Sequence, residues 1–260
     1  MKTRKLAFTV VELLIAVFIL SIFVFYAYKL FIGGSKVATK AQWINGTTTQ
    51  LRNAINNINN QLKGSSYPTT LLDDAIQEPG SSTDASKPYE KFCVQILSEK
   101  LGGDYGIEAK SLTASPKRIL TWVMCEPEVV KSAQQKSGVL TRSSLFFVPS
   151  NNPNLKVGKL ILRTKRFNFT TIPAQKYALS GNFATFVHEK SRDYETVIVN
   201  DVEEVRITVT NLPPCKDPQP VKLAIKCRWP ADPKVVKDAS MNMMTNVGLT
   251  TIAAGALPGD

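Results

Sequence analysis

Residues that commonly carry out catalysis or hold metals are few in this chain and lie far apart. It contains one histidine, His188, and four cysteines, Cys93, Cys125, Cys215 and Cys227, with no close pair among them. A structural zinc site takes four Cys or His ligands at short spacings, so this set argues against one. No Gly-x-Gly-x-x-Gly, Walker-type loop or Gly-x-Ser-x-Gly occurs either. We therefore expect no enzyme activity, no metal and no cofactor, and interpret His188 as an ordinary loop or sheet residue.

Glu12 is the residue whose setting indicates a specific interaction. It is the only charged residue from Leu6 to Tyr28, an apolar run long enough to cross a bilayer as a helix. A carboxylate in hydrocarbon costs about 2.5–3.5 kcal/mol on insertion scales, so such a residue usually has a partner. The alternative is that Glu12 lies near the membrane surface and reaches water.

The apolar run is predicted to be a retained membrane anchor. Lys2, Arg4 and Lys5 precede it without an acid, which predicts a cytoplasmic N-terminus and a translocated chain after Lys29. The run exceeds the roughly 7–15 apolar residues of a secretory signal, and no good Ala-x-Ala cleavage site follows it. We expect a single pass through the inner membrane, with a periplasmic or extracellular head.

The sequence around Glu12 carries a family resemblance. Residues 5–16, Lys-Leu-Ala-Phe-Thr-Val-Val-Glu-Leu-Leu-Ile-Ala, resemble the cleavage and methylation motif of type IV pilins and type II secretion pseudopilins. The resemblance implies that a prepilin peptidase cuts between Ala7 and Phe8 and methylates the new amine of Phe8. Ala7 stands where the family nearly always has Gly, and Ala is the mildest replacement.

The resemblance also implies a role for Glu12 in assembly. Once Phe8 is the first residue its amine is positive, and a neighbouring subunit shifted by about one helical turn could place that amine against Glu12. Removing one partner of a buried ion pair typically costs about 3–5 kcal/mol, so the pair would admit only subunits in register. The implied partners are other pilin or pseudopilin subunits, an inner-membrane assembly platform and membrane lipid.

Beyond the anchor, an apolar stripe predicts that the helix continues to about Lys63. Its members recur every three or four residues and are Val37, Ala41, Ile44, Thr48, Leu51, Ile55, Ile58 and Leu62. Gly64, followed by two serines, supplies a stop signal. A coiled coil is the alternative, which the short length of the stripe disfavours.

The rest of the chain indicates an α+β head. Apolar residues at helical spacing predict a second helix over residues 88–101. Segments rich in Val, Ile, Phe and Thr predict strands over residues 118–125, 144–148, 156–169, 195–199, 202–210 and 221–229. A helix followed by strands predicts a long helix packed on an antiparallel sheet, and the resemblance implies a pilin-like fold of this kind.

These predictions divide the chain into four parts. They are a basic leader of residues 1–7, a transmembrane half-helix of residues 8–32, an amphipathic half-helix of residues 33–63, and a globular head of residues 64–260. Within the head, residues 197–207 resemble the C-terminal sheet of the larger J-type minor pseudopilins and of similarly large minor pilins. A generic strand would show the same alternation, so both interpretations stay open.

The cysteines are predicted to form two disulfides, because all four lie on the translocated side and their number is even. Three pairings are open. The spacing across Pro218 and Pro220 favours Cys215 with Cys227, which leaves Cys93 with Cys125. Each closed loop would contribute about 2–4 kcal/mol.

The charged segments of the head indicate no certain ligand. Asp73, Asp74, Glu78 and Asp84 lack the Asp-x-Asp-x-Asp-Gly spacing of a calcium loop, so we interpret them as a solvated loop. Residues 159–166 carry four cations, Lys159, Arg163, Lys165 and Arg166, beside Phe167 and Phe169, a pattern that could hold DNA by its phosphates and bases. An exposed sheet face is the favoured interpretation, since neither this run nor the net charge of +11 names a partner.

Together these patterns predict a non-enzymatic structural subunit, a minor pilin or pseudopilin of a type IV pilus or type II secretion pseudopilus. One alternative is a DNA-uptake minor pilin. Another is a permanently anchored envelope enzyme or binding protein in which Glu12 is incidental.

Overall fold

A computed structural model describes residues 9–66, 93–111, 115–128, 136–171, 194–215 and 217–251. The predicted leader, Phe8, His188 and the acidic residues of the 73–84 loop lie outside these ranges. The chain forms two compact units, Met1–Gly46 and Thr47–Asp260.

One long helix, α1, spans Val10–Lys63. It passes through Gly33 and Gly34 without interruption, which confirms the predicted continuation to Lys63. In the first unit, the most apolar window of α1 has a mean hydropathy of 2.7, and 0% of it is buried. This part of α1 is therefore long and apolar enough to span a membrane.

The end of α1 is held by backbone bonds and close packing. The amide of Gly64 donates to the carbonyls of Asn60 and Gln61, at 3.2 and 3.1 Å. A Cβ at Gly64 would lie 3.1 Å from the Cε of Met124, so a side chain here would press on strand β4, Lys117–Glu128. The predicted stop signal is thus also a packing position.

In the second unit, α1 buries one apolar stripe in the head. Four members of the predicted stripe are buried: Leu51, Ile55, Ile58 and Leu62. Thr47 and Ala54 are buried beside them. The other members are not buried, since Val37, Ala41 and Thr48 are exposed and Ile44 is half-buried.

Ten strands form a single curled, mixed sheet. Besides β4 they are β1 (Val94–Ile96), β2 (Lys100–Leu101), β3 (Asp104–Glu108), β5 (Lys136–Pro149), β6 (Gly158–Thr171), β7 (Tyr194–Val209), β8 (Pro220–Arg228), β9 (Val236–Met244) and β10 (Leu249–Thr251). Their order is β10-β1-β4-β5-β6-β7-β3-β2, with β8 between β7 and β9. The coarse α+β prediction is confirmed.

Three details of the predicted head are wrong. The helix over residues 88–101 is replaced, in its described part, by β1 and β2, because β1 is fully buried between β4 and β10 and this pairing outweighs the local pattern. The sheet is not purely antiparallel, since β1 pairs with β10 in parallel. The strands predicted at 195–199 and 202–210 form one continuous β7, in which Asp201 has a φ of 54° next to a shift of register.

Ile58 provides a test of the helix–sheet contact. Its side chain is 0% exposed, so Ile58→Ala should lower the free energy of unfolding by about 2–5 kcal/mol. The exposed Asn53→Ala, one turn away on the polar face, should change it by less than about 0.5 kcal/mol. Denaturant unfolding of the detergent-solubilised chain, followed by tryptophan fluorescence, measures both, and equal effects would contradict the packing.

Candidate functional site

The first turn of α1 forms a closed hydrogen-bonded box around Glu12. The backbone amide and the hydroxyl of Thr9 both donate to Oε2 of Glu12, each at 2.9 Å. In return the amide of Glu12 donates to Oγ1 of Thr9 at 3.3 Å, and the amide of Leu13 donates to the Thr9 carbonyl at 3.2 Å. This is a capping box, in which N-cap Thr9 and the third helical residue satisfy each other's backbone amides.

The box leaves Glu12 with spare capacity for an outside partner. All of its described bonds from Thr9 use Oε2, and among the described residues no donor contacts Oε1. A carboxylate accepts through two oxygens with about four lone-pair sites. A negative charge in the first turn is also stabilised by the positive end of the helix dipole. Glu12 is thus held in a fixed place, and no described residue donates to its Oε1.

Sequence reasoning assigned Glu12 to a neighbour's amine and missed Thr9 as its local partner. The signal was present, since Thr-Val-Val-Glu matches the Thr-x-x-Glu pattern of a capping box before an apolar run. Ala7 and Phe8, the predicted cleavage positions, lie outside the described residues, directly before Thr9.

No disulfide joins the four cysteines in this structure, which describes all four of them. Cys215 forms an isolated antiparallel bridge with Leu249, and Cys227 pairs with Lys237 of β9. From Pro220 to Cys227 alone, strand β8 extends about 23 Å. The pairing of the four cysteines stays a prediction.

Cys93 directly precedes β1, and Cys125 lies on β4, the strand that pairs with β1. The side chain of Ser66 hydrogen-bonds to the backbone of β4 at Cys125. The Cys125 amide donates to the Ser66 hydroxyl at 2.9 Å, and that hydroxyl also lies 3.4 Å from the Cys125 carbonyl. Burial raises the pKa of the Cys125 thiol to about 12. Burial, with the carboxylate of Asp201 adding to it, also raises the pKa of the Cys227 thiol to about 12.

The cationic run on β6 is largely balanced by acids. The Nε of Arg163 lies 2.8 Å from Oε2 of Glu195, and its guanidinium lies 4.5 Å from the ring centre of Phe146. Arg166 lies 4.0 Å from Glu126. The side chains of Phe167 and Phe169 are outside the described part. These pairs favour an exposed, charge-balanced sheet face over a phosphate-binding strand.

Residues 197–207 form the middle of β7, which pairs with β6, β3 and β8. Glu203 there pairs with Arg228 and with Lys226, whose Nζ lies 3.4 Å from Oε2 of Glu203. Glu204 pairs with Arg206 on the same strand. Glu203, Glu204 and Arg206 thus form ion pairs with other residues of the sheet.

Three cavities lie along described residues of the second unit. One of about 220 Å³ lies between α1 and β9, beside Arg52 and Asp238. Another, of about 360 Å³, lies on the charged face of β7 and β8, and a third, of about 350 Å³, lies beside Asn200 and Asp201. Their described linings contain no histidine or cysteine, and the described residues include no group of three or more His, Cys, Asp or Glu that could hold a metal ion.

No protein-family model, no curated protein and no solved structure matches this chain. The resemblance of residues 5–16 therefore rests on the motif itself.

The raised thiol pKa values predict slow chemical modification. A pKa of about 12 in place of 9.0 lowers the thiolate fraction at pH 8 about 1000-fold, and only the thiolate reacts. After reduction, Cys125 and Cys227 should be modified by iodoacetamide at least about 100-fold more slowly in the native chain than in the unfolded one, and faster as the pH rises. Peptide mass spectrometry assigns each site. Equal native and unfolded rates would contradict the burial, and protection that disappears only after reduction would indicate a disulfide instead.

Proposed function

We propose that this chain is a prepilin-like structural subunit, processed at Phe8, anchored by α1 and assembled with other subunits into a type IV pilus or type II secretion pseudopilus. The observation that carries the proposal is the position of Glu12. It lies in the first turn of an uninterrupted helix, three residues beyond Thr9, and no described residue donates to its Oε1.

The chemistry of docking follows from this position. Cutting before Phe8 creates an ammonium group next to the capped turn, and after methylation this group keeps two N–H donors. In a neighbouring subunit displaced by about one turn, that ammonium would approach Oε1 of Glu12 while Thr9 continues to hold Oε2. Two charges that are costly in hydrocarbon would then compensate each other, and out-of-register subunits would leave both unpaired.

The proposed location is a single pass through the inner membrane, with the N-terminus in the cytoplasm and the head translocated. The exposed apolar window of α1 supports the membrane location, and the cations at residues 2–5 support the orientation. The proposed partners are a prepilin peptidase, other pilin or pseudopilin subunits, the assembly platform and membrane lipid. The sheet head would form the outward part of the subunit.

The capping box itself favours a second candidate, a permanently anchored envelope protein. If Glu12 serves only to cap α1, its bonds to Thr9 account for it without any neighbour. Processing and assembly distinguish the two candidates.

Processing is tested by the N-terminal sequence and intact mass of the chain from membranes, with and without a co-expressed prepilin peptidase. We expect the peptidase to remove residues 1–7 and leave a methylated Phe8. Ala7→Gly should be cut at least as fast as the natural chain, whereas Ala7→Leu should be cut more slowly because the side chain next to the scissile bond is larger. An intact Met1 start with the peptidase present would rule out the prepilin assignment.

Assembly is tested with Glu12→Gln, which keeps an amide oxygen for the cap but removes the charge. Loss of a buried pair worth about 3–5 kcal/mol should reduce recovery in the sheared filament fraction by about 100-fold or more. Glu126→Gln removes an equal charge from the exposed surface of the head and should leave recovery unchanged. Unchanged assembly of Glu12→Gln would favour the permanently anchored protein.

A further inference from the structure

Three lysines form a stripe on α1 where its apolar run ends. Lys29, Lys36 and Lys40 are exposed and are seven and four residues apart, which places them within about 40° of one another around the helix. No Asp or Glu occurs in the sequence between Glu12 and Asp73, so the stripe has no acid within reach along its own helix.

The stripe begins at Lys29, within the apolar part of α1, and extends beyond that part to Lys40. Leu30 and Phe31, which follow Lys29, are 77% and 75% exposed and extend the apolar surface to about residue 32. The Nζ of Lys29 folds back over the ring of Phe25, 4.7 Å from its centre, as a lysine near a membrane surface does along an apolar stem. Aromatic side chains at the same depth as the end of an apolar run are typical of a membrane–water boundary.

The axial positions of the other two lysines match a headgroup layer. From residue 32, Lys36 lies about 6 Å and Lys40 about 12 Å along the helix axis. Headgroups occupy about 5–7 Å on each side of the hydrocarbon, and charges act over a Debye length of about 8 Å. The usual helix tilt of about 20° brings both closer still.

The three lysines also oppose the proposed orientation of α1 across the membrane. Cations within about 15–20 residues of each end of a span set its direction, and three lysines on the translocated side weaken the bias set by residues 2–5. Neutral polar residues would strengthen that bias. We therefore expect these three lysines to have a binding partner on the translocated side of the membrane.

We propose that Lys29, Lys36 and Lys40 bind the phosphate groups of anionic phospholipids in the leaflet next to the head. The proposal rests on the membrane anchoring of α1 under the proposed function. The stripe would hold the unassembled subunit at an anionic surface and fix the depth of the helix in the membrane. Each lysine near such a surface strengthens binding about fivefold, the equivalent of about 1 kcal/mol.

The test uses the full chain in neutral detergent, with phosphatidylglycerol or phosphatidylcholine added and bound lipid counted by native mass spectrometry. We expect a preference for phosphatidylglycerol that Lys36→Gln/Lys40→Gln weakens about 25-fold and that added salt also weakens. Lys159→Gln/Lys222→Gln removes the same charge from exposed positions of the head and should retain the preference. Inorganic phosphate at millimolar concentration should not displace the lipid.

Several outcomes would overturn the proposal. They are no preference for phosphatidylglycerol, equal loss in the head variant, or displacement by phosphate alone, which would indicate a general anion site. Retained lipid preference in the Lys36→Gln/Lys40→Gln variant together with lost filament assembly would assign the stripe to a protein contact. Flotation with vesicles distinguishes failure of the membrane anchor from failure of lipid binding by the lysines. If the natural chain does not float, the membrane anchor is contradicted. If it floats without a preference for anionic lipid, only the role of the lysine stripe is contradicted.

Discussion

The burial of one aliphatic stripe of α1 is the interaction on which the head depends. Leu51, Ile55, Ile58 and Leu62 are almost fully inaccessible to solvent, and each buried side chain contributes about 1.5–3 kcal/mol to the stability of the head. Side-chain and backbone bonds then fix where the helix ends. The Ser65 carbonyl accepts from Nδ2 of Asn246 at 2.9 Å, and Ser66 binds the backbone of Cys125. The end of α1 is therefore tied both to a central strand and to the loop after β9.

The same helix has to suit two different environments, and its composition changes accordingly. Residues 13–28 are apolar on nearly all sides, whereas residues 47–63 carry an apolar stripe opposite a face of Asn, Gln and Thr. Within this helix Glu12 is the only acid, and its Thr9 bonds mean that docking of an amine would add to an existing local arrangement instead of creating one.

The sequence predicts elements that depend on residues close together in the chain, and does not predict elements that depend on pairing with distant segments. The course of α1 to Lys63 and the strands β4, β5, β6 and β8 were predictable, because their periodicity and β-branched residues act locally. The strand β1 was not, because Val-Gln-Ile lies in a segment with apolar residues at helical spacing and becomes a strand only by pairing with distant β4 and β10. The strand β9 has few β-branched residues, and its alternation of Ala239, Met241 and Met243 with polar residues is a weaker signal. At the candidate site the importance of Glu12 was evident from its apolar surroundings, whereas the cysteine geometry depended on strand register, which no spacing reveals.

The pairing of β1 with β10 sets the order in which the head can be completed. Val94 is made early in synthesis, yet its outer neighbour Leu249 is among the last residues of the described chain to be made. Until that segment arrives, the edge of β1 and the bridge between Cys215 and Leu249 are both open. The strands from β4 to β9 pair with their neighbours in sequence, so this part of the sheet can form before Leu249 is made. The closure of β1 by β10 joins residues more than 150 positions apart, and such long-range contacts are the slowest part of a sheet to form.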